Sequence, residues 1–168
     1  MIIYLAADHA GFELKENIKK FLADSGYEIQ DFGAFKYEPD DDYPDFIFPA
    51  IEALAQDLKN NDVRHRMSNT MSNTNTNRAV IFGGSGQGEA MIANRFPLVR
   101  AIVCDDNKDL DTKVKAWREH NDSNVLSFGA RFINEESAKK AVKMWLETPF
   151  TKEPRHVRRL EKIETTKL

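Results

Sequence analysis

The feature that most constrains the fold is an alternation of short apolar runs and amphipathic segments, repeated five times along the chain. Each apolar run has the length of one buried strand, and the segment after it carries apolar residues at helical spacing. Strands that alternate with helices form a parallel sheet covered by helices on both faces. The sequence therefore predicts one α/β domain over residues 1–168, with a five-stranded parallel sheet as the middle of three layers.

The alternation also predicts where each element lies. The predicted strands are Ile2–Ala6, Tyr27–Asp31, Ala79–Phe82, Val99–Cys104 and Asn124–Phe128. The predicted helices are Phe12–Asp24, Asp45–Leu58, Glu89–Arg95, Leu110–Glu119, Glu135–Glu147 and a basic tail helix at about Arg155–Ile163. In such sheets a ligand binds outside the C-terminal ends of the strands. The loops that follow the strands are therefore the places to search for chemistry.

Residues 59–78 interrupt this pattern with a run rich in Asn, Ser and Thr. Because apolar residues are few, the run predicts a solvated, mobile surface insertion, with an Asn/Thr recognition loop as the alternative. The segment precedes the third strand, so we expect it at the end of the sheet opposite the ligand. Its deletion should then leave catalysis intact.

Composition and charge exclude several classes of protein. The net charge of −3 provides no overall basic surface for nucleic acid. No apolar run approaches the roughly 20 residues of a membrane span. The single cysteine, Cys104, excludes an internal disulfide and fits a reducing compartment. We therefore expect a cytoplasmic protein without a nucleic-acid or membrane partner.

Four glycines lie within six residues between the third predicted strand and the next helix: Gly83, Gly84, Gly86 and Gly88. The backbone amides of such a loop can approach an anion closely, which indicates a site for a phosphate, a carboxylate or an enolate oxygen. A tight turn that needs positive φ angles is one alternative. A dinucleotide site is another, but the loop follows the third strand and has the spacing G-x-G-x-G, not G-x-G-x-x-G.

Two groups of acidic and basic residues flank the expected ligand site. Glu89 directly follows the glycine loop. Its carboxylate could interact with the helix dipole, or it could remove a proton from the carbon beside a carbonyl while the loop amides hold the oxyanion. Asp8 and His9 follow the first strand, where they could form a turn or contact a ligand.

The remaining candidates lie later in the chain. His120 and Asn121 end a helix, and His120 there could interact with the helix dipole. Arg155 and Arg159 share one helix face because their spacing is i, i+4. They could bind a phosphate together, or they could lie on a solvated face.

Taken together, these residues resemble the ribose-5-phosphate isomerase B family, which also includes galactose-6-phosphate isomerase subunits. The matching stretches run in family order over nearly the whole chain: Asp8-His-Ala-Gly-Phe-Glu-Leu-Lys15, Asp31-Phe-Gly33, Asp42-Tyr-Pro-Asp45, Gly83-Gly-Ser-Gly-Gln-Gly-Glu89, Ile92-Ala-Asn-Arg95, Arg118-Glu-His-Asn-Asp122, Asn124-Val-Leu126, Gly129-Ala-Arg131 and Arg155-His156 with Arg159. The resemblance implies a Rossmann-like three-layer sandwich that works as a homodimer or homotetramer, with the active site at the subunit interface.

The resemblance also implies a reaction. The expected activity is aldose–ketose isomerisation of a sugar phosphate, ribose 5-phosphate to ribulose 5-phosphate, through a cis-enediolate. Glu89 is implied as the base and His120 as the residue that assists ring opening. No cofactor and no metal ion are expected. The implied substrate-binding residues are Asp8, His9, Tyr43, Gly84, Ser85, Gly86, Gly88, Asn121, Arg155 and Arg159.

Individual roles follow from the same resemblance. His9, Arg155 and Arg159 would bind the phosphate, with the two arginines and Glu89 supplied by different subunits. Asn121 would help to hold the enediolate. Asp8 and Tyr43 are similar to residues that contact substrate hydroxyls.

Many relatives carry a cysteine base where this chain has Gly83, whereas another branch has a glutamate at the position of Glu89. This chain resembles the second branch. Cys104 is expected to be a buried small apolar residue and not a base. A six-carbon isomerase acting on allose or galactose 6-phosphate and a non-catalytic phosphosugar-binding module are the alternative functions.

Overall fold

The structure is a computed structural model that describes residues 1–68, 76–105 and 108–165, with side chains described up to residue 61 in the first of these ranges. The strands are β1 (Ile2–Ala7), β2 (Glu28–Asp31), β3 (Arg78–Gly83), β4 (Ala101–Cys104) and β5 (Val125–Gly129). The helices are α1 (Phe12–Asp24), α2 (Pro44–Ser68), α3 (Gln87–Ala93), α4 (Leu110–Glu119), α5 (Glu135–Glu147) and α6 (Pro154–Thr165).

The five strands form one parallel sheet in the order β2-β1-β3-β5-β4. The predicted parallel sheet is therefore confirmed. Because every strand runs in the same direction, the segments after β1, β3 and β5 all emerge at one edge, which we call the C-terminal edge. The segments that enter these strands lie at the opposite, N-terminal edge.

Alternate residues of the central strands belong to two separate cores, because successive side chains of a strand point to opposite faces of the sheet. On one face, Ile3 and Leu5 of β1 pack with α1, α4 and α5. On the other face, Tyr4 and Ala6 pack with α2 and α3. The sheet is covered on both sides, so the predicted three-layer architecture is also confirmed.

Helix α2 is longer than the sequence predicted. It ends at Ser68, whereas the prediction ended it at Leu58 and placed an irregular insertion from residue 59. Once a helix is nucleated, each added residue gains a hydrogen bond, and polar residues are tolerated where a helix faces solvent. Residues 69–75 lie outside the described residues, and so does the expectation that this segment is mobile.

The last residues of the predicted insertion belong to the folded core. Asn77 Oδ1 accepts a hydrogen bond from the Ile2 amide at 2.7 Å. Arg78 is the first residue of β3 and is buried. Its Nη1 donates to the carbonyl of Trp145 at 2.8 Å. The polar composition of the run did not predict this buried contact. A buried arginine is stable only where hydrogen-bond acceptors surround it, and the sequence does not show such partners.

Helix α6 contacts the segment that leads into β4. Glu164 accepts a hydrogen bond from the Leu98 amide at 3.1 Å and approaches Arg100 Nη1 to 3.3 Å. His156, near its N-terminus, is buried. Among the described residues, no helix combines the length and the apolar character that a membrane span requires.

Candidate active site

The glycine loop lies at the C-terminal edge, between β3 and α3. Gly86 has a φ of 74°, a left-handed conformation that favours glycine. A Cβ there would lie 2.9 Å from the carbonyl carbon of Phe128, so a larger residue would also collide with β5. The Gly86 carbonyl accepts a hydrogen bond from Ser127 Oγ at 2.6 Å. The loop is thus fixed against the neighbouring strand.

The polar groups of this loop are available to a ligand. Ser85 Oγ accepts a hydrogen bond from the Gln87 amide at 3.3 Å, which stabilises the turn. Within the described ranges, the amides of Gly84, Ser85 and Gly88 have no recorded acceptor. Backbone donors left open at one place can stabilise a negative oxygen.

Glu89 directly follows these residues along the chain. Its side chain is buried, with 4% of the residue exposed. A Cβ built at Gly83 would lie 1.7 Å from Glu89 Oε1, so the carboxylate packs against the backbone of Gly83. A side chain at position 83 and Glu89 in this conformation exclude one another. Burial raises the pKa of Glu89, and the negative charge of Asp8 raises it further.

Asp8 and His9 follow β1 at the same edge. Asp8 is buried, and its Oδ1 accepts a hydrogen bond from the Gly11 amide at 3.1 Å. His9 Nδ1 lies 2.7 Å from Asp41 Oδ1. This hydrogen bond is the main reason that the pKa of His9 is raised. Sequence reasoning missed Asp41, although it lies two residues before the predicted site residue Tyr43.

Tyr43 reaches the glycine loop from the segment that enters α2. A Cβ at Gly88 would lie 2.7 Å from Tyr43 Oη, so the phenol lies against the start of α3. The structure therefore brings together most of the residues predicted from the sequence. We call this group the Glu89 cluster: Asp8, His9, Tyr43, Gly84, Ser85, Gly86, Gly88 and Glu89.

Arg131 is a second residue that sequence reasoning left out of the site. It follows β5, and its guanidinium carbon would lie 3.0 Å from a Cβ at Gly84. Its amide donates to the Gly84 carbonyl at 3.1 Å. The position could have been found from its place directly after a central strand, since that places it at the ligand edge.

Asp8, His9 and Asp41 could in principle hold a metal ion, since one ligand atom from each lies within 4.8 Å of the others. His9 Nδ1 is already hydrogen-bonded to Asp41. Two of the three residues therefore form a carboxylate–imidazole pair.

The other predicted residues form a second group, the His120 cluster: His120, Asn121, Arg155 and Arg159. His120 ends α4 just before β5 and is exposed, as is Asn121. Arg155 and Arg159 are exposed on α6, and Arg155 Nε lies 2.8 Å from Glu153 Oε2. All four side chains can be reached from solvent.

A stacked pair of histidines joins α6 to the end of α4. The rings of His120 and His156 lie 4.6 Å apart with an interplanar angle of 10°. Burial and the positive charge of Arg155 lower the pKa of His156. His156 is thus a buried neighbour of His120, which the sequence analysis placed in a matching stretch but not among the site residues.

The two clusters lie at opposite edges of the sheet. His120 precedes β5, whereas the glycine loop contacts the end of β5 at Phe128 and Gly129. The length of β5 corresponds to about 13 Å, and the packed core lies between the two edges. One protomer therefore does not assemble all the predicted residues into a single site.

Comparison with known proteins shows the family. The model for a family described as Ribose/Galactose Isomerase matches residues 3–63 and 57–163. Ribose-5-phosphate isomerase B of Mycolicibacterium paratuberculosis is 36% identical, over 96% of this chain and 88% of that protein. The enzyme of the same name from Escherichia coli K12 is 31% identical, over 96% of this chain and 93% of that protein.

Solved structures agree with this. Ribose 5-phosphate isomerase B from Thermotoga maritima superposes with a TM-score of 0.79 at 32% identity, and the match covers 98% of both chains. The Mycoplasma genitalium enzyme, solved with bound ribulose-5-phosphate, superposes with a TM-score of 0.80 at 28% identity, over 97% of this chain and 93% of that one. With its fold, its motifs and its sequence all matching over nearly the full length, this chain belongs to the ribose/galactose isomerase family.

Proposed function

We propose that this chain interconverts ribose 5-phosphate and ribulose 5-phosphate, with Glu89 as the base. The observation that carries the proposal is the position of the Glu89 carboxylate, buried beside open backbone amides of the glycine loop. A base next to an oxyanion site is the arrangement that proton abstraction beside a carbonyl needs. The relatives named ribose-5-phosphate isomerase B and the ribulose-5-phosphate complex of one of them support the same substrate.

The reaction follows from these positions. Glu89 removes the proton from C2 of the open-chain aldose, and the electron pair moves towards the C1 carbonyl oxygen. The amides of Gly84 and Gly88 stabilise the negative oxygen of the resulting cis-enediolate. The hydroxyl proton on O2 passes to O1, and Glu89 returns its proton to C1, which gives the ketose.

The environment of Glu89 suits this task. Only the ionised carboxylate accepts the C2 proton, so the base is active above its pKa. Burial raises that pKa, and a base whose pKa lies closer to the working pH transfers protons more effectively. The negative charge of Asp8 acts in the same direction.

The two clusters support a homodimer as part of this proposal. Because they lie at opposite edges of the sheet, a substrate at Glu89 meets the His120 cluster only if a second protomer supplies it. In such a dimer His120 assists ring opening, and Asn121 helps to hold the enediolate. Arg155 and Arg159 bind the phosphate from the side opposite to the Glu89 cluster. Two such dimers could associate into a homotetramer.

The remaining contacts belong to the Glu89 cluster. His9 provides the third phosphate contact, and Asp8 and Tyr43 contact substrate hydroxyls. We place the enzyme in the cytoplasm. The single cysteine, Cys104, is buried, which supports a reducing compartment.

The test is the isomerisation of ribose 5-phosphate by the wild-type protein, by Glu89→Gln and by the control Glu52→Gln. Glutamine keeps the shape of the side chain but cannot accept the proton, so kcat should fall by about 10²–10⁴-fold. Glu52 is exposed on α2, and its replacement should leave kcat unchanged.

Other outcomes would redirect the proposal. Near-normal turnover by Glu89→Gln would exclude Glu89 as the base. A wild-type protein that isomerises only allose or galactose 6-phosphate would reassign the sugar. A wild-type protein that binds ribose 5-phosphate but turns over none of these sugars would be a non-catalytic phosphosugar-binding module.

A further inference from the structure

One carboxylate oxygen holds His9 at two points. Asp41 Oδ1 accepts a hydrogen bond from the His9 backbone amide at 2.9 Å and lies 2.7 Å from His9 Nδ1. Asp41 belongs to the segment between β2 and α2 that also carries Tyr43, and its side chain is only 10% exposed. A largely enclosed carboxylate that contacts both the backbone and the ring of one histidine fixes the position of that histidine.

This contact also decides which ring nitrogen a ligand can reach. With Nδ1 directed at Asp41, Nε2 is the nitrogen left for a ligand. The His9 side chain is 27% exposed, so the ring is not enclosed by the protein. A carboxylate on Nδ1 requires a proton there, and a second proton on Nε2 makes the ring a cation with a donor facing outwards.

We propose that Asp41 is a positioning residue, which holds His9 as an imidazolium whose Nε2–H binds the phosphate of the substrate. The inference rests on the proposed isomerase function and assigns a role to a residue outside the predicted site. A charged donor binds a phosphate oxygen about twice as strongly as a neutral one, so the gain appears as substrate affinity.

The surroundings of His9 favour the charged ring. Two acidic groups face it: Asp8 from the end of β1 and Asp41 from the segment before α2. The third titratable neighbour is Tyr37, whose ring meets the His9 ring edge-on at 6.2 Å. The hydrogen bond to Asp41 raises the pKa of His9 most, and the charge of Asp8 adds to it.

The position of Asp41 Oδ2 is a further sign of a fixed carboxylate. This oxygen is buried, and within the described part of the chain it has no hydrogen-bond partner. A buried acceptor without a partner costs free energy, and such a cost is tolerated where a group is held in place for function. Among the residues that the structure describes, the Asp41 side chain forms hydrogen bonds with His9 alone.

The first test measures His9 directly and needs no enzyme activity. The imidazole resonances of the four histidines are followed against pH by NMR, and that of His9 is assigned with His9→Gln. In Asp41→Asn the amide oxygen can still accept a hydrogen bond, but the negative charge is lost. The pKa of His9 should fall in this variant. Asp40→Asn removes the same charge from the exposed neighbouring residue and should leave the pKa of His9 nearer to that of the wild type.

The second test measures KM and kcat for ribose 5-phosphate across the pH range. Between the pKa of His9 in the variant and that in the wild type, only the wild type carries the imidazolium. In that range Asp41→Asn should raise KM several-fold with a smaller change in kcat. At a pH below both values His9 is an imidazolium in both proteins, and the difference in KM should shrink. Asp40→Asn should follow the wild type throughout.

Two results would overturn the inference: an unchanged pKa of His9 in Asp41→Asn, or a KM ratio between variant and wild type that is constant with pH. If the wild-type protein does not isomerise ribose 5-phosphate, the proposed function fails separately. The affinity for inorganic phosphate, read from the same His9 resonance, then decides the role of Asp41. If Asp41→Asn and the wild type bind phosphate with equal affinity, Asp41 does not position His9 for phosphate binding.

Discussion

The carboxylate of Glu89 occupies the space that a side chain at Gly83 would fill. A Cβ at Gly83 would lie 1.7 Å from Oε1 and 2.8 Å from Oε2 of Glu89. The missing side chain at position 83 is therefore what lets the carboxylate pack against the loop that carries the open amides. In this family member a base at position 83 and a base at position 89 are alternatives, for a steric reason.

This relationship predicts the effect of Gly83→Ala. The added methyl should displace the Glu89 carboxylate while leaving the fold intact, because only the end of a side chain has to move. Since a displacement of about 1 Å at a reacting group can cost about 10²-fold in rate, kcat for ribose 5-phosphate should fall by at least about tenfold. The double variant Gly83→Ala/Glu89→Gln should be no slower than Glu89→Gln alone. Independent, multiplicative losses would show that Gly83 acts in another way.

The pH dependence of activity should respond to Asp8. Burial and the charge of Asp8 raise the pKa of Glu89, and the enzyme needs the ionised form, so kcat/KM should fall as the pH drops through that pKa. Asp8→Asn keeps an oxygen for the Gly11 amide but removes the charge. The acidic limb of the profile should therefore move to lower pH. Asp45→Asn, which alters an exposed carboxylate, should not move it.

Glu89 should reduce the stability of the folded protein at neutral and higher pH. Its pKa is raised in the folded state, so the native protein binds this proton more tightly than the unfolded chain, and stability is lost as the pH rises through the folded pKa. Glu89→Gln removes this cost and should raise Tm at pH 8, with a smaller gain at pH 5. In a chain of this size, each kcal/mol of unfolding free energy corresponds to about 2–4 °C in Tm. An equal gain at both pH values would show that the charge is not the cause.

The proposed dimer predicts complementation between two inactive variants. Glu89→Gln alters one cluster, and Arg159→Ala alters the other. In a mixed dimer one active site carries both substitutions and the other carries neither. Random mixing of equal amounts should therefore restore about a quarter of wild-type activity. Activity no higher than the mean of the two variants would mean that one protomer supplies the whole site. Variants mixed without subunit exchange serve as the control.

The sequence predicted the layered fold because its evidence is local. The bounds of α1, α4 and α5 were predicted to the residue, since apolar positions at helical spacing end at recognisable polar residues. The glycine loop and Glu89 were found for the same reason: a strand, a loop and a helix follow one another directly. The extent of α2 was not predicted, because polar residues carry little signal that separates a solvated helix from a loop.

The sequence by itself therefore determined the parallel sheet, the family and nearly all of the candidate residues. Only the tertiary structure decided how those residues are grouped. The strand order places the segment after β1 beside the loop after β3, which brings His9 near Glu89, and it leaves His120 at the other edge. The contact between Asp41 and His9 and the exclusion between Gly83 and Glu89 depend on where side chains end in space. Spacing along the chain does not encode such distances between separate elements, because they arise only when the elements pack.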